Sequence, residues 1–419
     1  MSVLVAMVAF LSAAGCFANR SAPPPEPARS ISLRYIDAAL LDDHAALDGL
    51  ARDEPIATLV EPPHIRSCCA FGFNLQVNVV SVPIPLYKLR TVRGIDDLGP
   101  HEYAAGLVQF TPSPARLRGE RPASENNGIV YTCRGGFLDL GHLRDHADRT
   151  LFFAPRVEAL LETGGTIDLR DFGGQRRAVL EPVSKRRIAR LGRRRLAVAT
   201  AQWLAFQVSV WHEIGSWYGN SNIPSWPEKL SSFSLEDLYS NLLGTKLAAG
   251  VILSGQAGSE IEYDRAMTEW LDTALARLQI VSAENASAAM QAVDGIWWTS
   301  QRRLPDWKVV TRRKLDLASP LRPWLLPMAF TPDPAPEVGC ASDAKAIALP
   351  NPNAFGGIPF SSHARFEVVV NDNLASNGFP FPDSRSRRIT QADFPAIASS
   401  VRRELAIELG GPSDHPRRN

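Results

Sequence analysis

The sequence carries almost no net charge and has few cysteines. Its 45 Lys and Arg residues balance 44 Asp and Glu residues, and only 5 of its 419 residues are Cys. A balanced charge gives the chain no general attraction to nucleic acid, so we expect no nucleic-acid partner. Because 45% of the residues are hydrophobic, the composition also excludes a wholly disordered chain. The length is sufficient for a large buried core.

Three familiar catalytic signatures are also missing. The pair His212-Glu213 is followed by Ser216 at the position where a His-Glu-x-x-His zinc motif requires its second His. The sequence has no Gly-x-Ser-x-Gly nucleophile elbow and no phosphate-binding loop. A serine hydrolase with an unrecognised elbow stays an alternative without positive support.

The first 15 residues, MSVLVAMVAFLSAAG, contain no charged side chain. This run is shorter than the roughly 20 apolar residues that a membrane-spanning helix needs. It ends in small residues followed by Cys16, which is typical of a secretory signal and similar to a bacterial lipobox. We interpret residues 1–15 as a signal peptide and residues 16–30 as a lipidated Cys16 with a Pro-rich tether. The protein would then be exported, either anchored to a bacterial membrane or periplasmic. A cleaved signal without lipidation and a buried N-terminal helix are the alternatives.

Four cysteines remain after Cys16, an even number that permits two disulfides in an exported chain. They are Cys68, Cys69, Cys133 and Cys340. Because the adjacent Cys68 and Cys69 do not easily bond with each other, the simplest expectation pairs them with Cys133 and Cys340. A metal site at His64, Cys68 and Cys69 is the alternative, although its spacing matches no common zinc pattern.

Hydrophobic periodicity predicts an α+β fold with a mostly helical central core, short strands and hairpins, and long Pro- and Gly-rich loops. The strand patterns lie at 70–95, 129–133, 166–172, 177–182 and 365–370. The helix patterns lie at 30–60, 140–162, 184–218 with a break at Gly192, from Ser234, at 258–278, at 283–298 and from Thr390. Because boundary signals are weak, we expect residues 31–410 to form a single large domain and residues 411–419 to be a disordered tail.

The helix predicted around residues 196–218 is apolar on nearly every side and should be buried. At 100° per residue, a set of polar side chains nevertheless shares one arc of about 100°. The set consists of Gln202, Ser209, His212, Glu213 and Ser216. A buried polar group without a partner costs about 1–3 kcal/mol, so this arc must meet partners, water or a ligand.

A pair of histidines suggests what that ligand is. His142 and His146 lie four residues apart on the helix predicted for 140–162, and Arg149 follows on the same side. Two imidazoles at this spacing reach one point and can bind one metal ion. With His212 as a third ligand, the sequence predicts a site for a divalent metal such as zinc.

The chemistry of such a site would be hydrolysis by activated water. Glu213 would act as the general base, and Arg134 or Arg149 would stabilise the developing negative charge. Asp237 and Asn241 follow one helix face, and Gly244 beside them allows a close helix approach. Further side chains expected to line the site are Asp139, Asp145, Ser209, Ser216 and Asn241.

Other interpretations of the same residues remain open. Glu213 as a general acid and Asp237 as its partner carboxylate would give metal-free glycan cleavage. A non-catalytic envelope lipoprotein that binds a partner or a polymer is a further alternative, with the polar residues forming a structural network. That network would comprise hydrogen bonds from His142 and His146 to Asp139 or Asp145, an ion pair of Glu213 with Arg134 or Arg149, and a helix cap at Asp237.

A basic run, Lys185–Arg195, contains seven Lys or Arg residues among eleven. It is a candidate surface for anionic lipid or an anionic envelope polymer, since each positive charge near a membrane contributes roughly 1 kcal/mol. The alternative is a solvated extension of the following helix that forms salt bridges with its neighbours.

Five motifs resemble those of an uncharacterised family of exported bacterial proteins, often lipoproteins, of unknown function. They are Arg66-Ser-Cys-Cys-Ala-Phe-Gly72, the run ENNGIVYTCRGGFLD at 125–139, His142-x-Arg-Asp145, His212-Glu-x-x-x-Trp-Tyr-Gly219 and Phe233-Ser-x-Glu-Asp-Leu-Tyr-Ser-Asn241. The likeness covers residues 64–330. It implies an exported protein whose motifs belong to one domain, and it implies no particular activity.

Overall fold

The structure, a computed structural model, describes residues 31, 33–48, 54–63, 66, 70–79, 82–89, 92–105, 125–221, 227–330, 335–383 and 386–409. Several sequence-based predictions fall on other residues. The signal peptide, Cys16 and its tether, His64, Cys68, Cys69 and the tail 411–419 all lie outside the described residues.

The α+β prediction is confirmed, and helices predominate. In chain order the helices are α1 (Leu33–Leu40), α2 (His44–Asp48), α3 (Leu140–Leu160), α4 (Lys185–Leu191), α5 (Arg193–Trp217), α6 (Asp237–Leu253), α7 (Glu260–Arg277), α8 (Ala283–Ala292), α9 (Asp372–Ser376) and α10 (Phe394–Leu409). The strands are β1 (Leu75–Val79), β2 (Val82–Leu89), β3 (Ile129–Thr132), β4 (Gly136–Asp139), β5 (Gly165–Leu169), β6 (Gly174–Leu180), β7 (Ala354–Phe355), β8 (Ile358–Pro359), β9 (Ala364–Val370) and β10 (Arg388–Thr390).

Helices α3, α5 and α6 pack against one another at the centre of the larger hydrophobic core. The approach of α3 to α6 is unusually close: a Cβ atom on Gly244 would lie 1.9 Å from the carbonyl oxygen of Leu143. Glycine is therefore required at this crossing. The contact brings the first turn of α3 beside the first turns of α6.

Local sequence explains how α3 and α5 begin. Asp139 caps α3, because its Oδ1 accepts hydrogen bonds from the backbone N–H groups of Gly141 and His142 at 2.7 and 3.1 Å. Gly192 separates α4 from α5 with a φ of 82°, a backbone conformation that suits glycine. The predicted break of the long helix at Gly192 is thus confirmed.

An antiparallel sheet with strand order β10-β9-β6-β5 packs beside the helical core, where β9 contacts α5. The hairpin predicted around Gly173-Gly174 joins β5 to β6. Alternate residues of β6 are buried, as period-two geometry requires. One of these inward positions is occupied by a charged residue, Arg176.

A second, smaller core lies around β1, the β3–β4 hairpin and α8, and its largest side chains are aromatic. The disulfide next to this core corrects the expected pairing. Cys133 and Cys340 bond to each other, with their Cα atoms 5.4 Å apart, so neither pairs with Cys68 or Cys69. The physical reason is that residues 335–347 return to the hairpin turn, where the N–H of Ile347 donates to the carbonyl of Arg134.

Two helix boundaries also differ from the prediction. The helix expected from Ser234 begins at Asp237, because the Asp237 carboxylate turns back and accepts a hydrogen bond from the backbone N–H of Ser234. The helix expected to reach residue 298 ends at Ala292, and Gly295 follows with a φ of 78°.

Within the described ranges, none of the helices combines the length and the apolar character needed to cross a bilayer.

Candidate metal centre

Three side chains from two helices converge at the centre of the core. His142 comes from the first turn of α3, and His212 and Glu213 come from the last turns of α5. One donor atom from each residue lies within 4.8 Å of the other two. Among the described residues, this is the group whose donor atoms have the spacing needed to hold a metal ion.

His142 is held in place by a carboxylate. Its imidazole is 3% exposed, and its Nδ1 lies 3.0 Å from Oδ1 of Asp237, the first residue of α6. This contact orients the imidazole and favours the tautomer with its proton on Nδ1, because a carboxylate oxygen accepts hydrogen bonds. A histidine that binds a metal usually has its second nitrogen bonded in this way.

His212 is oriented by aromatic rings. It stacks on Phe172, with ring centroids 4.8 Å apart, and it meets the His142 ring edge-on at 5.7 Å. Burial lowers the pKa of His212 well below its usual value, and the positive charges of Arg149 and Arg176 lower it further. The ring is therefore neutral at physiological pH, which is the form that binds metals.

Glu213 is a buried carboxyl in a mixed environment. It is 1% exposed, its Oε2 accepts from the backbone N–H of Phe233 at 2.8 Å, and its Oε1 accepts from Nδ2 of Asn241 at 3.4 Å. Burial and the nearby Asp237 carboxylate raise the pKa of Glu213 well above its usual value. A bound cation would reverse this shift, because positive charge stabilises the ionised carboxylate.

More buried carboxyls surround this group. Asp237 accepts hydrogen bonds at Oδ2 from the backbone N–H and the hydroxyl of Ser234 at 2.6 and 3.1 Å. The neighbouring Glu236 accepts from the same hydroxyl at 3.1 Å, and its Oε2 has no hydrogen-bond partner among the described residues. Burial, Asp237 and Asp139 raise the pKa of Glu236 well above its usual value. The region thus has a surplus of carboxyl groups that a divalent cation would offset.

His146 is not a member of the three-donor group. It lies one turn after His142 on α3, and burial together with the positive charge of Arg149 lowers its pKa well below the usual value. Its Nδ1 has no hydrogen-bond partner among the described residues. The ring is a neutral, buried neighbour of the site.

Two buried arginines from different secondary-structure elements both lie near the carboxylate of Glu61. Arg149 lies on α3 and Arg176 on β6, and both reach Oε1 of Glu61, at 3.8 and 3.9 Å. Arg176 also lies over the ring of Phe172, 5.6 Å from its centroid, on the ring that stacks against His212. Burial and then the charge of Arg149 lower the pKa of Arg176 to about 9. The pair can stabilise negative charge that develops beside His212.

Other predicted site residues have contacts elsewhere. Arg134 donates from Nε to the backbone carbonyl of Lys345 at 3.2 Å. Asp145 pairs with Arg66 at 2.9 Å. The hydroxyl of Ser209 donates to the carbonyl of Phe206 at 2.7 Å.

The remaining polar residues of the α5 arc also have separate partners. Ser216 donates to a carboxylate oxygen of Glu228 at 3.3 Å. Gln202 donates to Asp42 at 3.0 Å. The arc is therefore divided among several neighbours, and only its His212–Glu213 end reaches the candidate metal centre.

The basic run forms α4 and the start of α5, where several of its cations pair with carboxylates in the last turn of α3 and just after it. Arg193 and Lys185 contact Glu162, the latter at 3.7 Å, and Arg194 contacts Glu158 at 3.0 Å. These contacts favour the interpretation as a salt-bridged helix extension. A role in binding anionic lipid or polymer stays a prediction.

Sequence reasoning missed Arg176, Phe172, Glu61 and Glu236. The signal for Arg176 is present in the strand GQRRAVL, because strict alternation places its first Arg on the inward face with Gly174 and Leu180. Glu61 gives no such signal, since it belongs to an irregular segment and meets both arginines only in the folded chain.

A comparison with family models gave a match to residues 56–327, described as Protein of unknown function (DUF4056). This confirms the resemblance at the level of a family of unknown function and covers almost the same residues. No curated protein and no solved structure matches the chain.

Proposed function

We propose, from the premise that the chain belongs to the DUF4056 family of unknown function, that it is a metal-assisted hydrolase. His142, His212 and Glu213 would hold one divalent cation. The observation that carries the proposal is the convergence of their donor atoms within 4.8 Å of one another, together with the contact between Asp237 and Nδ1 of His142.

The donor set suits this chemistry. Two imidazoles and one carboxylate are a ligand set of catalytic zinc sites, in which three protein ligands leave a fourth position for water or substrate. The His212 imidazole is available in the neutral form, and Asp237 would supply the outer contact that orients His142 and raises its basicity. We assign Glu213 to the ligand set because its oxygen has the same spacing as the two ring nitrogens.

A divalent cation bound here would acidify a water molecule and polarise a substrate carbonyl or phosphoryl group. Side chains of the protein would stabilise developing charge and orient the proposed ligands. Arg149 and Arg176 would stabilise the negative charge that develops on the substrate beside His212. Phe172 keeps the His212 ring in one orientation by stacking on it.

One alternative fits the geometry less well. Metal-free glycan cleavage by Glu213 and Asp237 requires two carboxyl groups separated by about 5–9.5 Å. These two carboxyls instead interact directly, because the Asp237 carboxylate raises the pKa of Glu213. That contact favours two carboxyls beside a shared cation over two carboxyls on opposite sides of a glycosidic bond.

Export and lipidation at Cys16 stay predictions, as does a location of the protein in the cell envelope. A non-catalytic binding function, for a partner or a polymer, also stays a prediction.

Metal analysis of the purified full chain tests the proposal. We expect about one equivalent of a divalent metal by mass spectrometry after dialysis against Zn²⁺, Mn²⁺ or Co²⁺, and loss of that metal in His142→Ala and His212→Ala. His363→Gln is the matched control, because His363 is also buried but bonds to Thr200. Failure of the wild-type chain to bind any of these metals would end the proposal. Equal metal content in the His142 and His363 variants would do the same.

A further inference from the structure

A cavity of about 150 Å³ lies between the α1–α2 turn, α5 and the loop around residues 351–356. Its side chains include Asp42, His44, Gln202, Trp203, Phe355 and Phe360. Gln202, one of the α5 residues that line it, lies ten residues before His212, which corresponds to roughly 15 Å of helix rise. It is therefore a separate feature from the candidate metal centre.

Polar side chains on one side of this cavity provide hydrogen-bond acceptors. Asp42 is paired with the buried Lys246 at 2.5 Å and accepts a hydrogen bond from Nε2 of Gln202 at 3.0 Å. The bond to Asp42 fixes the orientation of the Gln202 amide and turns its Oε1 away from the carboxylate. That oxygen has no hydrogen-bond partner among the described residues, and Gln202 is only 5% exposed. A buried acceptor in this state favours a ligand with a hydroxyl or amide donor.

His44 offers a second polar atom. It is 6% exposed, and within the described part of the chain its Nδ1 has no hydrogen-bond partner. Burial lowers the pKa of His44, so the ring is neutral and can donate at one nitrogen and accept at the other. Because Asp42 forms an ion pair with Lys246, the polar side of the cavity carries no net charge. The cavity therefore favours a neutral ligand.

Aromatic rings form the walls. Trp203 and Phe360 stack with ring centroids 5.5 Å apart, and Phe355 lies 5.2 Å from the His44 ring. Aromatic faces carry partial negative charge, which attracts the C–H groups of a ring that also carries hydroxyls. A cavity of about 150 Å³ accommodates one six-membered ring.

A second cavity, of about 370 Å³, adjoins the first and shares Trp203, Asn351 and Pro352 with it. None of the described residues that line it is charged. Its polar side chains are amides and a hydroxyl, from Gln207, Ser319, Asn351, Asn353 and Gln391. The absence of charge among these residues disfavours an ionic ligand, and the amides match a ligand with many hydroxyl groups.

We propose that the two cavities form one binding site for a neutral glycan, with a sugar ring in the 150 Å³ cavity and the next unit in the 370 Å³ cavity. Gln202 and His44 would bind hydroxyls of the first unit. Trp203 would contact both units, because it lines both cavities.

Calorimetric titration of the full chain with cellobiose, maltose and diacetylchitobiose tests this proposal. We expect at least one of these neutral disaccharides to bind. Gln202→Leu should weaken binding about tenfold, the effect of one lost buried hydrogen bond. Asn351→Ala should weaken it severalfold without disturbing the core, because Asn351 lies on a loop and uses its backbone N–H to contact Ser319. Asn373→Ala, an exposed Asn on another surface, should bind like the wild type.

The contrary outcomes are distinct. If none of the three disaccharides binds, the cavities hold only water and the proposal is wrong. Tighter binding of an acidic saccharide, or unchanged binding in both Gln202→Leu and Asn351→Ala, would also overturn it. His212→Ala should keep full glycan binding. A loss in that variant would move the glycan to the candidate metal centre and refute the separate site, whatever the metal content.

Discussion

Two buried polar regions lie along α3, and they differ in the groups that contact their carboxylates. In one, Arg66 contacts three carboxylates, of Glu125, Asp145 and Asp148, at 2.5, 2.9 and 2.8 Å. In the other, Glu213 accepts hydrogen bonds from the backbone N–H of Phe233 and the side-chain amide of Asn241. The first region has a guanidinium in direct contact with its carboxylates, whereas Arg149 and Arg176 beside the second region contact Glu61.

The pKa values reflect this difference. Burial alone would raise the pKa of Glu125, but the Arg66 and Arg144 guanidiniums lower it to about 2. Burial raises the pKa of Glu213, and the neighbouring Asp237 carboxylate adds to the rise. Asp145, beside Arg66, is intermediate: burial raises its pKa to about 6 against the pull of Arg66. A buried acidic group next to neutral histidines suits an external cation, whereas a buried acidic group around an arginine is a structural element.

The largest expected effect comes from removing the positive charge of Arg66. Arg66→Met would leave three buried carboxylates without their shared partner, which should lower the free energy of unfolding by about 3–5 kcal/mol. Urea denaturation measures this change. Arg302→Met, which breaks an exposed pair with Asp306, should cost less than about 1 kcal/mol. Similar stability of the two variants would show that the Arg66 region is not a structural element.

The second largest expected effect is a loss of stability in the same region at low pH. Because the pKa of Glu125 is depressed to about 2, its contribution to stability is complete above its ordinary pKa and is lost as the pH falls towards 2. The slope should be roughly 1.4 kcal/mol per pH unit in that window. Glu125→Gln should reduce the slope measured by urea denaturation, whereas Glu181→Gln, an exposed control, should not. An unchanged slope in Glu125→Gln would contradict the assigned ion pairs.

The smallest of these effects concerns the candidate metal centre. Asp237→Asn removes the carboxylate that contacts Nδ1 of His142 and should weaken metal affinity 10–100-fold while leaving the three proposed ligands in place. Competition with a chromogenic chelator measures the affinity. Asp306→Asn, on the surface, should retain wild-type affinity. If Asp237→Asn also retained it, the contact with His142 would be only structural.

The sequence predicts part of the site because that part depends on local periodicity. A helical repeat places His212 and Glu213 on the polar arc of α5 and His142 in the first turn of α3, and the folded chain brings them together. His146 shares the i, i+4 spacing but lies a full turn further along α3. The repeat shows which side chains share a face and does not show which turn meets the neighbouring helix.

Contacts between distant segments were the ones that sequence reasoning did not find. Arg66 meets residues 59 to 82 positions away, and no periodic pattern connects them. The same limit explains the incorrect cysteine pairing, since Cys133 and Cys340 are 207 residues apart and only the tertiary fold brings them together. Fold class, by contrast, follows from local pattern, and that prediction is confirmed.

The glycine at position 244 has a consequence for engineering this protein. Every substitution there adds a Cβ atom that collides with the backbone of α3, one residue after His142. The separation of α3 and α6 beside His142 is therefore set by contact between their backbones. Any redesign of the candidate metal centre should leave this helix crossing untouched and change α5, whose end supplies the other two proposed ligands.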